Sequence, residues 1–185
     1  KEYTQIIINE ADRLQNLMNR MLTPHQMPVY KKTNIHEILE RVRSLILSEF
    51  PSDITFIRDY DVSLPEFIVD REKLIQAILN IARNGAQAMK FSNQGNMKLS
   101  FVTRAERQIV FRKKKHATAI RIDIIDNGPG IKNELIDKIF FPLVTGKENG
   151  SGLGLSLSQN LISLHQGMID CHSVPGKTVF SIILP

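Results

Sequence analysis

The chain has 185 residues, 42% of them hydrophobic, and a formal net charge of +5, enough sequence for one sizeable α/β core. No apolar run approaches the roughly 20 residues needed to span a bilayer, and no charged-then-apolar leader opens it. A lone cysteine, Cys171, excludes an internal disulfide framework and suits a reducing cytoplasm.

The charge is local. Between Arg104 and Lys115 lie Arg104, Arg107, Arg112, Lys113, Lys114 and Lys115 against Glu106, and the rest of the chain balances. One basic loop on a neutral body is not a nucleic-acid-binding face. It reads as a solvated hairpin tip, or more sharply as a docking patch for an acidic partner.

In chain order, residues 3–22 place Ile7, Leu14, Leu17, Met18 and Met21 in a roughly heptad stripe, which predicts a helix with one apolar side. Pro24 and Pro28 end it and make a short linker. Such a stripe needs a cover, and the expected one is the other half of a helical hairpin. Residues 34–49 predict a second helix, capped by Asn34 with Glu37 in a capping-box position, and buried through Ile38, Leu39, Val42, Leu45 and Ile46. Residues 53–61 alternate as a half-buried strand, and VSLPE turns the chain.

Asp70 caps the next helix, REKLIQAILNIARNGAQAMK. Leu74, Ile75, Ile78, Leu79, Ile81 and Ala82 supply its core face. Asn80, Asn84 and Gln87 fall at i, i+4 and i+7 on another face. Mid-helix asparagine costs a few tenths to about 0.7 kcal/mol relative to alanine. An amide line is therefore either a solvated stripe or a set of oxygens aimed at a ligand and its metal. Mg²⁺ suits the second reading, since one or two protein oxygens commonly hold it beside phosphates and water.

Residues 97–125 read as two strands, MKLSFVTRA and TAIRIDIID, flanking the basic loop, with Ile120, Ile122 and Ile124 alternating toward Asp126. Next comes DNGPGI, then a short helix NELIDKIF, then FPLVTGKENG. Gly150, Gly152 and Gly154 open a helix running from Leu153 to His165. Glycines let backbone N–H groups approach a ligand closely, and a glycine-rich turn at a helix start favours phosphate. GMIDCHS and TVFSIIL pair as a final hairpin about VPGK.

ILNIARNGAQAM resembles the N box of sensor histidine kinases, DNGPGI their G1 box, FFPLVTGK their F box and GSGLGL their G2 box. Order and spacing match over nearly the whole chain. The phrases EADRLQNLMNRML, IRDYDVSLPE and TGKENGSGLGLSLSQNLISLHQG resemble the nitrogen-regulation (NtrB-type) sensor kinases in particular. The resemblance implies the Bergerat (GHKL) ATP-binding fold, a two-layer α/β sandwich of a mixed sheet and helices, preceded by one helix of a dimerisation hairpin. The implied domains are residues 1–23 for that helix, 24–33 for a linker and 34–185 for the catalytic ATP-binding domain.

Site roles follow from the same resemblance. Asp126 would accept from the exocyclic amine of adenine, while Gly128, Gly130 and Ile131 would form one wall for the base. Asn84 would hold Mg²⁺, with Asn80 as a second candidate ligand, and these two carry the catalytic assignment. Gly150, Gly152, Leu153, Gly154 and Leu155 would meet the phosphates, with Thr145 and Lys147 in the lid. Thr178 would support Asp126 by a hydroxyl bond, directly or through water. Arg83 and Lys147 could meet phosphate charge or simply be solvated bases. Of Phe140 and Phe141, one would anchor the lid and the other would move.

None of His25, His36, His116, His165 and His172 lies in the His-Glu-x-x-Asn-Pro context of the family's phosphoacceptor. The expected acceptor therefore lies upstream, and this chain should bind ATP without phosphorylating itself. The implied partners are an NtrC-type response regulator, a PII-type signalling protein and a second copy in a homodimer, with neither nucleic acid nor membrane. Two alternatives stand beside the kinase reading: a nucleotide-gated module that docks the PII-type regulator and switches kinase to phosphatase, and a stand-alone ATPase or serine kinase.

Overall fold

A computed structural model describes residues 27–51, 53–92, 95–111, 114–146 and 150–185. The helix expected over residues 3–22 and the lid residue Lys147 lie outside them. The linker does not stay irregular to its end. Lys31–Thr33 form strand β1, which pairs antiparallel with β3, Phe67–Val69, a strand the sequence pattern did not announce.

Helix α1, Ile35–Glu49, starts where Asn34 accepts the His36 N–H at 2.8 Å, and it buries Ile35, Ile38, Leu39, Val42 and Ile46. Strand β2, Ile54–Asp59, follows. Helix α2, Arg71–Phe91, is capped by Asp70 and buries Leu74, Ile75, Ile78, Ile81 and Ala82. The basic segment is less a loop than expected. Strands β4, Met97–Phe111, and β5, Lys114–Asp126, run through it in one register to the Phe111–Lys114 pair, interrupted at Gln108, whose φ is +52°.

The helix expected over NELIDKIF is only one turn, α3, Asn133–Ile136. Helix α4, Gly154–Leu164, and the hairpin of β6, Met168–Val174, and β7, Lys177–Leu184, complete the chain. The five-stranded sheet has the order β2-β4-β5-β7-β6, parallel only between β2 and β4. This is the expected mixed sheet with helices against it. Alternation assigns its faces: Ile120, Ile122, Ile124, Phe180, Ile182 and Leu184 are buried with the helices, whereas Arg121, Ile125, Ser181 and Ile183 on the other face are half-buried. No helix among the described residues is long and apolar enough to cross a membrane.

The two helices that carry the motifs are joined at their far ends. Asp70 Oδ1 accepts from Lys73 N–H at 3.1 Å, and its Oδ2 accepts from Val29 N–H at 2.9 Å. Its own N–H donates to His165 Nε2 at 3.0 Å, at the end of α4. Burial pushes the Asp70 carboxyl up, but the Lys73 and Val29 donors outweigh it and hold the group below its ordinary 3.8. A depressed carboxyl contributes stability above its unfolded value and loses it as pH falls through the folded one. Asp70→Ala should cost about 1–2 kcal/mol, a Tm drop of roughly 2–8 °C for a domain of this size. The gap from wild type should narrow as the melts are taken below pH 3.8.

Candidate nucleotide site

Strand β5, the middle strand of the sheet, delivers Asp126 to its end, where the residue is 6% exposed. Two glycines make room for its carboxylate. A Cβ at Gly85 of α2 would lie 2.9 Å from Oδ2, and one at Gly128 would lie 2.8 Å from Oδ1. Oδ1 accepts the Gly128 N–H at 2.9 Å, and Oδ2 has no donor among the described residues. Burial pushes the carboxyl up, offset in part by the Gly128 bond.

The loop after Asp126 is held from two sides. Asn127 Oδ1 accepts from Lys98 N–H at 2.7 Å and its Nδ2 donates to the Asn96 carbonyl at 2.8 Å. From the other side comes the β6–β7 turn. Gly176 N–H donates to the Gly128 carbonyl at 2.9 Å, and Ile131 N–H donates to Ser173 Oγ at 2.9 Å. Gly130 has φ +84°, and a Cβ there would press at 3.0 Å on the backbone of Val174 and Pro175. Thr178 is buried and pairs with Asp126 across β5 and β7, but its hydroxyl bonds Ser173 Oγ at 2.9 Å and not the Asp126 carboxylate.

The second glycine cluster faces α2. Gly154 begins α4, and a Cβ there would come within 3.8 Å of Asn84 Nδ2. Asn80 Nδ2 donates to the Gly154 carbonyl at 3.5 Å, and Ser158 Oγ ties α4 to the Ala77 carbonyl at 3.0 Å. The amide line and the glycine-opened helix therefore stand opposite one another. Leu153, the N-cap residue, gives α4 no side-chain cap. The first N–H groups of a helix have no partner within it, so these donors and the positive dipole end can serve an anion. Leu155 is half-buried against the core. Gly150 is half-buried and Thr145 exposed.

Between the clusters the chain folds back onto the second. Leu143 N–H donates to the Gly152 carbonyl at 3.0 Å, Gly152 has φ +64°, and a Cβ there would strike the Leu143 backbone at 2.5 Å. Phe140 packs edge-on against Phe180, with ring centroids 6.4 Å apart, whereas Phe141 is 60% exposed. Phe140 is thus the anchor of the pair.

Other candidates resolve differently. Arg83 is forked onto Glu49, its Nε donating to Oε2 at 2.8 Å and its Nη2 to Oε1, which ties it to α1. His36 stacks on Tyr60 at 4.7 Å and reaches Thr103 Oγ1, while His165 is buried between Asp70 and Leu161. Cys171 is pushed up to about 12 by burial, with Asp170 and Asp126 adding to it, so it is a packed thiol and no nucleophile. No cluster of His, Cys, Asp and Glu that could hold a metal occurs among the described residues.

Gly85 and Ser173 were not singled out from sequence. Mid-helix glycine was a usable signal for Gly85, because it costs about 1 kcal/mol against alanine and calls for a reason. Ser173 gave none.

An acid buried at a strand end, a glycine loop clamped over it and an uncapped helix opposite a line of amides describe an ATP-binding domain. Residues 69–185 match the family described as "Histidine kinase-, DNA gyrase B-, and HSP90-like ATPase", and the chain belongs to it. Among known proteins it is similar to the sensory histidine kinase/phosphatase NtrB of Vibrio alginolyticus, 48% identical over 184 residues, covering 100% of this chain and 52% of that protein. The NtrB of Salmonella typhimurium is 45% identical and that of Rhodobacter capsulatus 36%, each with 52% of its length covered. The chain thus spans about half the length of these curated relatives. In structure it is similar to the catalytic domain of histidine kinase ThkA (TM-score 0.70, 25% identity, 85% of this chain and 95% of that one). It also matches ThkA in complex with response regulator protein TrrA (TM-score 0.72, 25% identity, 100% of this chain and 51% of that one).

Two outcomes test this geometry without nucleotide. Gly152→Ala should speed hydrogen exchange at the Leu143 amide while leaving the melt of the sheet nearly unchanged, since the strain is confined to the loop. Asp126→Asn keeps the acceptor for Gly128 and removes a buried charge. A carboxyl raised by burial gives its full stability below the unfolded value of 3.8 and loses it as pH rises through the folded one. Asp126→Asn should therefore melt at or above wild type at pH 7, with the gap closing toward pH 4; calorimetry across that range checks it.

Proposed function

We propose that the chain is the ATP-binding half of a cytoplasmic sensor histidine kinase, which passes the γ-phosphoryl group of ATP to a histidine elsewhere in the whole protein and thence to an NtrC-type response regulator. The observation that carries this is the buried Asp126, with Oδ2 offered to a donor and the Gly128–Ile131 loop fixed beside it. Adenine presents an exocyclic amine to such an acceptor, and guanine presents a carbonyl oxygen. Gly128, Gly130 and Ile131 bound the base, and Thr178 lines the strand next to Asp126.

Phosphates fit the start of α4. Gly150, Gly152, Leu153, Gly154 and Leu155 would offer backbone donors there, with Thr145 and Lys147, the latter outside the described residues, as further phosphate contacts. Asn84, with Asn80 one turn earlier, would hold Mg²⁺ through amide oxygens. These oxygens suit a hard cation and add no negative charge beside a triphosphate. The bound ion would neutralise charge on the phosphate oxygens. The chain's own part is to orient the nucleotide, keep the base in a dry slot and align the γ-phosphoryl group with an incoming nucleophile.

A PII-type regulator and a homodimeric whole protein belong to the same proposal, supported by the similarity to NtrB over the full chain. The contact of the Leu143 segment with Gly152 gives such a regulator something to bias, because it joins lid position to the phosphate loop.

Isothermal titration of ATP, ADP and GTP, with and without Mg²⁺, into the chain and into Asp126→Asn tests the site. Adenine-selective binding that is lost in the variant is the expected result; binding without base preference would overturn it. Adding the histidine-bearing domain in trans should then give Mg²⁺-ATP-dependent histidine labelling.

A further inference from the structure

Asp126, Thr178 and Ser173 stand opposite one another on three neighbouring strands. Asp126 pairs with Thr178 across β5 and β7, and Ser173 pairs with Thr178 across β6 and β7. Directly opposed residues share a face of the sheet, so the three form one polar row at its end. Ser173 Oγ receives the Ile131 N–H and lies 2.9 Å from Thr178 Oγ1. Each hydroxyl has one proton to give, and two directions are open.

If Thr178 donates to Ser173, it turns lone pairs toward the Asp126 carboxylate and sets two acceptors side by side in a buried place. If Ser173 donates to Thr178, the chain runs from Ile131 N–H through Ser173 O–H to Thr178 O–H. The last proton then faces the carboxylate side. Electrostatics favours the second, and each bond in such a chain strengthens the next.

We infer that Ser173 is a positioning residue for base selection: its donated hydrogen bond fixes the Thr178 hydroxyl as a donor beside Asp126. The row then offers the base one acceptor and one donor. Adenine answers with its amine and its N1 lone pair, whereas guanine opposes like to like at both places, with a carbonyl oxygen and an N1–H. A site built to pair both groups rejects a base that leaves them unpaired. The inference rests on the ATP reading above, and its test separates the two.

ATP and 1-deaza-ATP, which carries C–H in place of N1, are titrated into wild type, Ser173→Ala, Ser173→Thr and Thr178→Val, with thermal melts alongside. Wild type should bind ATP about tenfold more tightly than the analogue, the worth of one buried hydrogen bond. The ratio should fall to about twofold in Ser173→Ala and about one in Thr178→Val, and recover in Ser173→Thr, which keeps the hydroxyl. A merely structural Ser173 would weaken both nucleotides by the same factor, and an unchanged ratio in Ser173→Ala overturns the inference. Should Ser173→Ala fail to fold, the decision passes to the other two variants: a wild-type ratio in Thr178→Val, or a lost one in Ser173→Thr, overturns it. A wild-type ratio near one overturns it while leaving ATP binding in place. Failure of wild type to bind ATP at all overturns the ATP reading itself.

Discussion

An ionised carboxylate buried with a single backbone donor is costly unless something else pairs with it. Asp126 is in that position on the middle strand of the sheet, and much of the surrounding backbone follows from accommodating it. Gly85 and Gly128 leave no Cβ in the space the carboxylate occupies. Gly128 then donates its N–H to Oδ1 while its carbonyl accepts from Gly176, so one residue ties the acid to the β6–β7 turn. Gly130 lets the loop press against Val174 and Pro175. The loop is thus fixed before any ligand arrives, which is the condition for a polar site to discriminate between bases.

The phosphate side obeys a different constraint, close approach of two helices. Ser158 donates to the Ala77 carbonyl, a bond that requires α4 to lie near the backbone of α2. At the same interface Gly154 presents no side chain to Asn84, and its carbonyl meets Asn80. The asparagines lose helix propensity where they stand, but at this interface they set amides against the end of α4 that has no side-chain cap, Asn80 donating to the Gly154 carbonyl. Propensity is given up locally where the site needs an amide.

Legibility in the sequence tracked the range of the interaction responsible. Caps are local, and Asn34 and Asp70 were readable because a side chain bonds a backbone group two or three residues on. The glycine clusters and the amide line were readable because spacing alone puts them on a turn or one helix face. The β1–β3 ribbon was not, since three-residue strands carry too little alternation and their pairing joins positions more than thirty residues apart. Nor could spacing place Arg83 on Glu49, or show that the Thr178 hydroxyl turns to Ser173. Like charges in the basic stretch suggest a solvated loop, yet the backbone of β4 and β5 pairs through most of it. Period-2 pairing with β5 prevailed over composition.

The two halves of the site are braced a second time, away from the ligand. Asp70 begins α2, which carries Asn80 and Asn84, and His165 closes α4, which begins at Gly154. The Asp70 N–H to His165 Nε2 bond fixes Nε2 as the acceptor, so the ring's proton is on Nδ1 and goes to the Leu161 carbonyl. Tyr30 lies edge-on to that ring at 5.7 Å and donates its hydroxyl to the Leu164 carbonyl at 3.0 Å, while Val29 donates to Asp70. The segment before β1 therefore contacts the far ends of both helices at once. This strap thus braces both motif-bearing helices at one place, and Gly85 of α2 abuts the Asp126 carboxylate, so base recognition and phosphate alignment share α2 as a common support.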